Sequence, residues 1–532
     1  MRSIVCLLLF MDDLKLYADS DANLNKLVQI VHNFSTDICM DFGLDKCSKC
    51  TLKKGLKVAS ENLQLDNGMS IEDLNDEASY KYLGIEENAA IEHKHMREKL
   101  TKEYFKRVKS ICKTELTTKN KIQSINQLAL PVLSYGFGIV EWPQYQINAI
   151  DIKTRKLLTL HKCTYRNQCY DRLYIPRSEG GLGLLEVNQC FKSTIVGLSQ
   201  YLHSCTDRLM KLVSKQHTEV LPQNVSIIKM ADNFSDSLIE KEVDEENADT
   251  PPTEMAKKKK QVHGSIFRSQ RMDRWKEDRR AGKFPEELNK VYIDKKASLS
   301  WLKRGKLGFD GERMLIGAQD QALYTNGFRK MAGLSDNDKC RFCHTEVESV
   351  SHLMSGCQTL LADGHYTNRH NKVCRYLHWK VCNEIGMWTK PIQDHEPAPT
   401  TSYEDYVIFY DKPISLGRYV EGGAIKPDIV VWDRKAKTAQ IIEVTVPNDY
   451  GLNRAEREKN NKYQDLKNDL RTTWGLTNIE LIPVVVGATG LVKNNLSDHL
   501  QAIIGKPDIE EVQLAAIKGT ITILKRALSH QC

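Results

Sequence analysis

The sequence predicts a multidomain protein of the mixed α+β class. Its 532 residues are too many for one hydrophobic core, so three or four domains are expected. Hydrophobic residues make up 41% and charged residues 27%, a composition that is typical of globular proteins and excludes a disordered or fibrous chain. Strand-like runs occur near both ends of the chain, whereas residues 89–225 have a mostly helical pattern.

Cysteine usage and hydropathy restrict the compartment. Fifteen cysteines are an odd number scattered over a long chain, which favours a reducing compartment over a secreted disulfide scaffold. The opening MRSIVCLLLFM resembles a signal peptide, but no small-residue cleavage site follows it, so we do not interpret it as one. The chain has no run of about eighteen apolar residues, and we therefore predict no membrane span.

The first predicted element is a hairpin that carries two adjacent aspartates. Leu7–Phe10 are apolar, and an alternation of apolar and polar residues resumes after Asp12 and Asp13. This pattern predicts a hairpin with its arms in the core and both aspartates at the turn. Carboxylates beside a buried strand are costly unless a cation such as Mg²⁺ compensates them, although an ordinary Asp-rich turn is the alternative. We interpret Cys47 and Cys50, which follow, as ordinary strand cysteines.

The middle of the chain changes sharply in charge. Residues 232–254 carry nine acidic residues against one lysine, which predicts a solvated linker. From Lys257 to Lys306 there are seventeen basic against six acidic residues, interleaved with Phe267, Trp275, Phe284, Tyr292 and Trp301. Basic and aromatic residues together suit nucleic-acid binding, but a solvated helical face whose aromatic residues pack the helices has the same composition. The candidate binding residues are Lys257, Lys258, Lys259, Lys260, Arg268, Arg271 and Arg274. The four lysines could also form a nuclear-import patch.

The segment CRFCHTEVESVSHLMSGC has the spacing of a metal-binding knuckle. Two residues separate Cys340 from Cys343, eight separate Cys343 from His352, and four separate His352 from Cys357. Three thiolates and one imidazole form a closed tetrahedral set that suits structural Zn²⁺. His344 is an alternative ligand, but it adjoins Cys343 and would strain the site. A coincidental group of buried cysteines is the other interpretation.

The C-terminal third contains two predicted strands, DIVVWD and AQIIEVTV. Asp428 begins the first strand and Glu443 lies inside the second, so an antiparallel hairpin can place both carboxylates at one end of a sheet. The following segment, NRAEREKNNKYQDLKNDL, predicts a helix with Lys459 and Lys462 on one face. Two carboxylates can hold Mg²⁺ and a lysine can orient or activate water, which together make a phosphodiesterase site. Ordinary surface charges on a hairpin are the alternative.

Taken in order, these motifs resemble the C-terminal two-thirds of non-LTR retrotransposon proteins of the restriction-like-endonuclease clade, the site-specific type found in ribosomal RNA genes. FMDDLKLYA resembles the catalytic box of a reverse transcriptase palm, GLDKCSK the next palm motif, and YKYLGI the primer grip. RLYIPRSEGGLGLLEV is similar to a segment beyond the thumb, and WLKRGKLGFDGERMLIGAQDQALYTNGFRKM to the linker before the zinc knuckle. NRHNKV, KPD, EVTVP and KNNKY are similar to the nuclease. The resemblance covers nearly the whole chain.

The resemblance implies six regions. They are a partial reverse transcriptase palm (1–88), a helical thumb and post-thumb region (89–225), an acidic/basic flexible linker (226–260), a basic helical linker (261–335), a CCHC zinc knuckle (336–362) and an α/β restriction-endonuclease-like domain (363–532).

The resemblance also implies roles for the candidate residues. Asp12 and Asp13 are expected to hold the polymerase metal, Asp428 and Glu443 to hold Mg²⁺, and Lys459 or Lys462 to serve the water or the phosphate. Arg369 and His370 match an Arg-His element ahead of the nuclease core and are expected to contact nucleic acid. Thr445 stands where the usual motif has lysine, so the catalytic lysine is expected to come from the helix.

The implied activity is nicking of duplex target DNA in the nucleus, which in this family is coupled to target-primed reverse transcription of the element RNA. The expected cofactors are structural Zn²⁺ and catalytic Mg²⁺. Because the chain begins just before the two aspartates, we expect this polypeptide alone to lack polymerase activity. A non-enzymatic nucleic-acid-binding remnant of a retroelement is the alternative.

Overall fold

The protein is described by a computed structural model that covers residues 6–40, 43–65, 68, 70–75, 78–235, 250–387, 389–414 and 426–529. The fold is mixed α+β, which confirms that prediction. The chain divides into two compact units. Residues 1–107, 128–151 and 187–263 form the first, and residues 108–127, 152–186 and 264–532 form the second.

Within the described residues, the strands form one five-stranded sheet and four two-stranded sheets. The strands are β1 Leu7–Phe10, β2 Asp13–Leu16, β3 Thr51–Lys53, β4 Leu56–Val58, β5 Leu63–Gln64, β6 Ser70–Ile71, β7 Tyr80–Tyr82, β8 Ile85–Glu87, β9 Thr400–Tyr403, β10 Tyr406–Tyr410, β11 Ile429–Asp433, β12 Thr438–Thr445 and β13 Asn478–Val485.

Helices account for most of the remaining regular structure. They are α1 Asp21–Asp37, α2 His93–Lys113, α3 Thr118–Ser124, α4 Leu130–Ser134, α5 Gln144–Leu160, α6 Tyr170–Tyr174, α7 Val187–Ser204, α8 Arg208–Lys215, α9 Ile227–Ser235, α10 Pro252–Glu277, α11 Lys283–Leu288, α12 Lys295–Ser298, α13 Ser300–Arg304, α14 Phe309–Gln319, α15 Asn326–Met331, α16 Val350–Ser355, α17 Gln358–Ala362, α18 His365–Glu384, α19 Leu452–Lys462, α20 Gln464–Thr473, α21 Leu496–Ala502 and α22 Ile509–Leu528. In the part of the chain that the structure covers, none of these helices is long and apolar enough to cross a membrane.

The predicted N-terminal hairpin forms, but only Asp12 of the two aspartates expected at the turn lies there, and the arms are not buried. Phe10 pairs with Asp13, so Met11 and Asp12 form the turn and Asp13 already belongs to β2. Leu9 is 64% and Phe10 57% exposed, and the prediction that the arms lie in the core is therefore wrong. The reason is that β1 and β2 pair only with each other among the described strands, and an isolated hairpin buries little apolar surface.

The segment predicted as a flexible linker, residues 226–260, is mostly helical where it is described. Residues 227–235 belong to α9 and residues 252–260 to α10, whereas residues 236–249 lie outside the described part. Ile228 and Ala231 are buried on α9, which gives that helix an apolar face to pack. The prediction of a flexible linker, which was based on the acidic composition, is therefore wrong at both ends of the segment, where α9 and α10 lie.

The aromatic residues of the basic segment mostly pack the helices that carry the charge. Trp275, Phe284 and Trp301 are buried, so they cannot stack on bases in this conformation. Of the two interpretations of the aromatic residues in this segment, these three support packing rather than base stacking.

The five-stranded sheet positions the C-terminal candidate residues. Its order is β13-β12-β11-β10-β9, and every pair is antiparallel except β12 with β13, between which α19 and α20 make the connection. Because side chains alternate along a strand, each face of the sheet has its own core. Ile429 and Val431 pack with α18 and α22, whereas Val430 and Ile441 pack with α20 on the opposite face.

A buried ion pair in the second unit connects α6 to the segment that follows α14. Arg172 donates to Asp320 at 2.7 Å and to the carbonyl oxygen of Gly180 at 2.8 Å, and the side chains of both ion-pair partners are fully buried. The Arg172 guanidinium also lies 4.8 Å from the ring centre of Trp275.

Asp320→Ala is expected to lower the free energy of unfolding by about 3–5 kcal/mol, because it removes the negative charge that compensates the buried Arg172 guanidinium. Urea denaturation followed by circular dichroism measures the change. Asp273→Ala is the matched control: Asp273 is exposed and pairs with Lys276 at 3.5 Å, so its loss is expected to cost less than about 1 kcal/mol. Equal destabilisation by the two substitutions would contradict the structural importance of the buried pair.

Candidate functional site

The two C-terminal carboxylates lie side by side at one end of the β11–β12 hairpin. Ile429 pairs with Ile442, so Asp428, directly before β11, is opposite Glu443. The Asp428 amide donates to Glu443 Oε1 at 2.9 Å, and the Val444 amide donates to Asp428 Oδ2 at 2.8 Å. The backbone of each strand therefore holds the carboxylate of the other, and both carboxylates lie at one end of the sheet, where the hairpin pattern can place them.

Lys459 of α19 completes this group. Its Nζ lies 2.9 Å from Glu443 Oε2 and 3.8 Å from Asp428 Oδ2. Lys462 lies at the last position of α19, and its Nζ donates to Tyr463 Oη at 3.1 Å instead. Of the two lysines that the sequence left as alternatives, the structure brings Lys459 to the carboxylates and not Lys462.

His370 of α18 reaches the same site from another element. Its Nε2 lies 3.1 Å from Asp428 Oδ2, and its ring nitrogens lie 3.6 and 3.7 Å from Cys374 Sγ. Sequence reasoning missed Cys374. The available signal was its position one helical turn after His370, where i and i+4 share a face. We call Asp428, Glu443, Lys459, His370 and Cys374 the acidic site.

Arg369, the neighbour of His370, points away from the acidic site and into the protein. It is buried, and it donates to the carbonyl oxygens of Met354 at 2.8 Å and Val446 at 3.0 Å and to Thr520 Oγ1 at 3.1 Å. The expectation that Arg369 contacts nucleic acid is therefore wrong for this conformation. Consecutive residues of a helix point about 100° apart, and here one member of the Arg-His pair points into the protein while the other reaches Asp428.

Burial and neighbouring charges set the protonation of the acidic site. Burial, with the negative charge of Asp428, raises the pKa of Glu443 to about 7. Burial also acts to raise the pKa of Asp428, but the hydrogen bond and charge of His370 outweigh it and hold that pKa below its usual range. Burial acts to lower the pKa of His370, yet the hydrogen bond to Asp428 raises it to about 11. The site thus holds two close carboxyl groups that depend on nearby cations to be ionised together.

A second group of candidate ligands lies around α16. Ser349 caps this helix by accepting from the His352 amide at 3.1 Å, which orients His352 toward the turn that carries Cys340 and Cys343. Cys340 Sγ lies 3.8 Å from Cys357 Sγ, and Cys343 Sγ lies 3.5 Å from His352 Nε2. All four ligand atoms lie within 4.8 Å of one another, so these residues could hold a metal ion. We call them the knuckle cluster.

The environment of the knuckle cluster differs from one thiol to another. Cys340 and Cys357 are buried in a core that includes Leu524 of α22. Burial raises the pKa of the Cys340 thiol to about 11, whereas a hydrogen bond from the Thr345 side chain lowers that of Cys343 to about 5. His344, the alternative ligand, does not belong to the cluster and has a left-handed φ of 57°.

The two other pairs of candidate ligands stand alone. Within the described residues, neither Asp12 and Asp13 nor Cys47 and Cys50 belongs to a group of three or more ligating side chains. The interpretation of Cys47 and Cys50 as strand cysteines is wrong in one respect, because neither lies in a strand: Cys47 follows a short helical turn and Cys50 directly precedes β3. For Asp12 and Asp13, the part of the chain that the structure covers supplies no third metal-binding residue.

The basic candidates on α10 differ in exposure. Lys257, Lys258, Lys260 and Arg268 are exposed and Lys259 is half-buried.

Arg271 and Arg274 are engaged within the protein. Arg271 donates to Asp171 at 2.6 Å and also pairs with Glu186, with its side chain only 11% exposed. The expectation that Arg271 binds nucleic acid is therefore wrong for this conformation, because two carboxylates already occupy its guanidinium. Arg274 pairs with Asp171 at 3.0 Å but remains partly exposed.

Comparisons with known proteins do not assign this chain to a family. No protein-family model matches the chain, and no curated protein matches its sequence. The chemistry of the acidic site and the knuckle cluster must therefore be inferred from their own geometry.

Proposed function

We propose that the acidic site is the centre of a Mg²⁺-dependent endonuclease that nicks duplex DNA, in a protein derived from a non-LTR retrotransposon. The observation that carries this proposal is the convergence of Asp428, Glu443 and Lys459, with one ammonium group placed between two carboxylates. This set of side chains, at the end of an antiparallel hairpin, matches the two carboxylates and one lysine that the motif resemblance implies for a restriction-like nuclease, and it suits catalysis by a metal ion.

The donor set fits Mg²⁺. Magnesium prefers carboxylate oxygens, and Asp428 and Glu443 present theirs side by side. Two carboxyl groups this close repel each other when both are ionised, and a divalent cation removes that repulsion. Asp428 and Glu443 would hold the ion. When bound there, it supplies Lewis acidity and neutralises charge on the scissile phosphate.

The remaining residues of the acidic site would stabilise the charge that develops on the phosphate and hold the metal-binding carboxylates in place. The Lys459 ammonium can donate to the attacking water or to a phosphate oxygen, where negative charge develops during the reaction. His370 holds Asp428 in one orientation through its hydrogen bond of 3.1 Å. In the proposed reaction the oxygen of water forms the new bond to phosphorus and gives up a proton, the bond from phosphorus to the 3′ oxygen breaks, and that oxygen takes up a proton while the phosphate stays on the 5′ oxygen. The product is a 3′-hydroxyl that can prime reverse transcription.

For the knuckle cluster we propose structural Zn²⁺. Tetrahedral zinc with bonds of about 2.3 Å to sulfur and 2.0–2.1 Å to nitrogen separates two sulfurs by about 3.8 Å and a sulfur from a nitrogen by about 3.6 Å. The corresponding distances in the cluster are 3.8 and 3.5 Å. Four protein ligands leave no position for substrate, which favours a structural role.

The proposal extends to the rest of the chain through the motif resemblance. It assigns residues 1–88 to a partial reverse transcriptase palm with Asp12 and Asp13, residues 89–225 to the thumb, and residues 363–532 to the restriction-like domain. Target DNA and element RNA are the proposed partners, in the nucleus. The exposed lysines of α10 support this, since Lys and Arg neutralise phosphates.

Nicking of a supercoiled plasmid that carries a ribosomal RNA gene repeat tests the activity. The purified chain is expected to convert it to open circles only with Mg²⁺, and Asp428→Asn is expected to slow this by about a hundredfold or more, because one metal-binding carboxylate is lost. Asp405→Asn, in the exposed turn between β9 and β10, is the control and is expected to cut normally.

A mobility-shift assay on the same variants separates cleavage from binding. Asp428→Asn is expected to bind DNA as the unmodified chain does. Equal cleavage by Asp428→Asn and the unmodified chain would show that the acidic site is not the nuclease centre. A salt-sensitive shift without any cleavage would instead support the alternative, a nucleic-acid-binding protein without enzymatic activity.

A further inference from the structure

A third group of ligating side chains lies in the same domain as the acidic site. His378 and Cys382 are one helical turn apart on α18, and His395 lies in the segment between α18 and β9. All three are buried, and their ligand atoms lie within 4.8 Å of one another. Within the described residues, this group and the knuckle cluster are two of three that could hold a metal, and the third is part of the acidic site.

The distances within this group are close to those of a shared ion. Cys382 Sγ lies 3.5 Å from His378 Nδ1, and the separation expected between sulfur and nitrogen on tetrahedral zinc is about 3.6 Å. His378 Nδ1 lies 2.9 Å from His395 Nε2, which is a hydrogen-bond distance. Two nitrogens on one zinc lie about 3.3 Å apart, so the imidazoles need to separate by only about 0.4 Å.

The simplest alternative is a pair of buried histidines that satisfy each other by one hydrogen bond. That alternative accounts for His378 and His395 but not for the third ligand, since a thiol gains little from an imidazole neighbour. The Tyr410 ring lies edge-on to His378, 5.5 Å away between ring centres, and closes one side of the group. Helical spacing of one His and one Cys, with a second His from another segment, is an arrangement that zinc sites use.

We propose that His378 Nδ1, Cys382 Sγ and His395 Nε2 bind a second Zn²⁺ ion, separate from the knuckle cluster. Two imidazoles and one thiolate suit a borderline-soft divalent ion, and three protein ligands leave a fourth position for water or a small anion. The ion joins the C-terminal half of α18 to the segment before β9. Because His370 lies on the same helix, the ion also fixes the helix that presents His370 to Asp428. The site does not depend on the nuclease proposal.

Zinc analysis of the full chain tests the proposal. Purified protein with both sites filled is expected to contain about two zinc ions per chain, and Cys382→Ser about one. Cys169→Ser is the matched control, because Cys169 is also a buried free cysteine but belongs to none of the ligand groups found in the described residues. It is expected to retain both ions. The same zinc content in Cys382→Ser as in the unmodified chain would overturn the proposal.

His395→Gln is the second variant, for use if Cys382→Ser fails to fold. Its amide can still bond to His378, so the hydrogen-bonded alternative predicts little change whereas the zinc site predicts the loss of one ion. Cobalt(II) replacement adds a spectroscopic measurement. The knuckle cluster would supply three thiolates and the second site one. The thiolate-to-cobalt absorption of the unmodified chain is therefore expected to exceed that of Cys382→Ser by the contribution of one thiolate. Identical absorption would show that Cys382 is not a ligand.

Discussion

Lys459→Met is expected to slow Mg²⁺-dependent nicking by about a hundred- to a thousandfold, the usual cost of removing one donor that stabilises developing charge. Methionine resembles the unbranched apolar stem of lysine, is one atom shorter, and lacks the ammonium group. Both carboxylate contacts, at 2.9 and 3.8 Å, are lost with it. Single-turnover cleavage of the supercoiled plasmid measures the rate, and a mobility shift measures DNA affinity separately.

Lys462→Met is the matched control on the same helix. Lys462 differs from Lys459 by three positions and donates to Tyr463 Oη, not to a carboxylate. Its loss is expected to change the cleavage rate by less than about threefold, because Lys462 is exposed and its hydrogen bond is made away from the two carboxylates. A greater loss of cleavage rate in Lys462→Met than in Lys459→Met would show that Lys462, and not Lys459, supplies the catalytic amine.

His352→Ala is expected to release the zinc of the knuckle cluster and to unfold the region around α16 and α17. Structural zinc sites have apparent binding free energies of about 10–16 kcal/mol at neutral pH, and much of this is folding free energy. Cys340 and Cys357 pack with Leu353, Leu360 and Leu524, so the loss is expected to reach the end of α22. Zinc content, thermal melting and proteolysis within residues 336–362 measure the effect.

His344→Ala is the control for the ligand assignment. This histidine directly follows Cys343 but does not belong to the cluster. It is expected to leave the zinc content and the melting temperature unchanged. Zinc loss in His344→Ala with retention in His352→Ala would exchange the roles of the two histidines.

The local patterns of the sequence determined the parts of the site that depend on one or two neighbouring elements. Because side chains alternate along paired strands, the positions of Asp428 and Glu443 in their strands were enough to predict that the carboxylates meet. In the same way, the spacing of Cys340, Cys343, His352 and Cys357 predicted a single ligand cluster, since a turn and a short helix bring such residues together.

Tertiary structure decided which face of each element is covered, and sequence spacing does not contain that information. Lys459 and Lys462 are three positions apart, so helical periodicity places both on the same face of α19 and does not distinguish them. In the structure only Lys459 reaches the carboxylates. The buried arms predicted for the first hairpin are exposed, because no other described strand pairs with β1 or β2.

The same reason separates Arg369 from its neighbour His370. Adjacent in the motif, they point in different directions from α18, and only His370 reaches Asp428. The group of His378, Cys382 and His395 was also missed, because twelve residues separate Cys382 from His395 and no motif spacing links the two. Local periodicity thus determined the elements and their pairing, and long-range packing, which depends on the rest of the chain, determined which side chains meet.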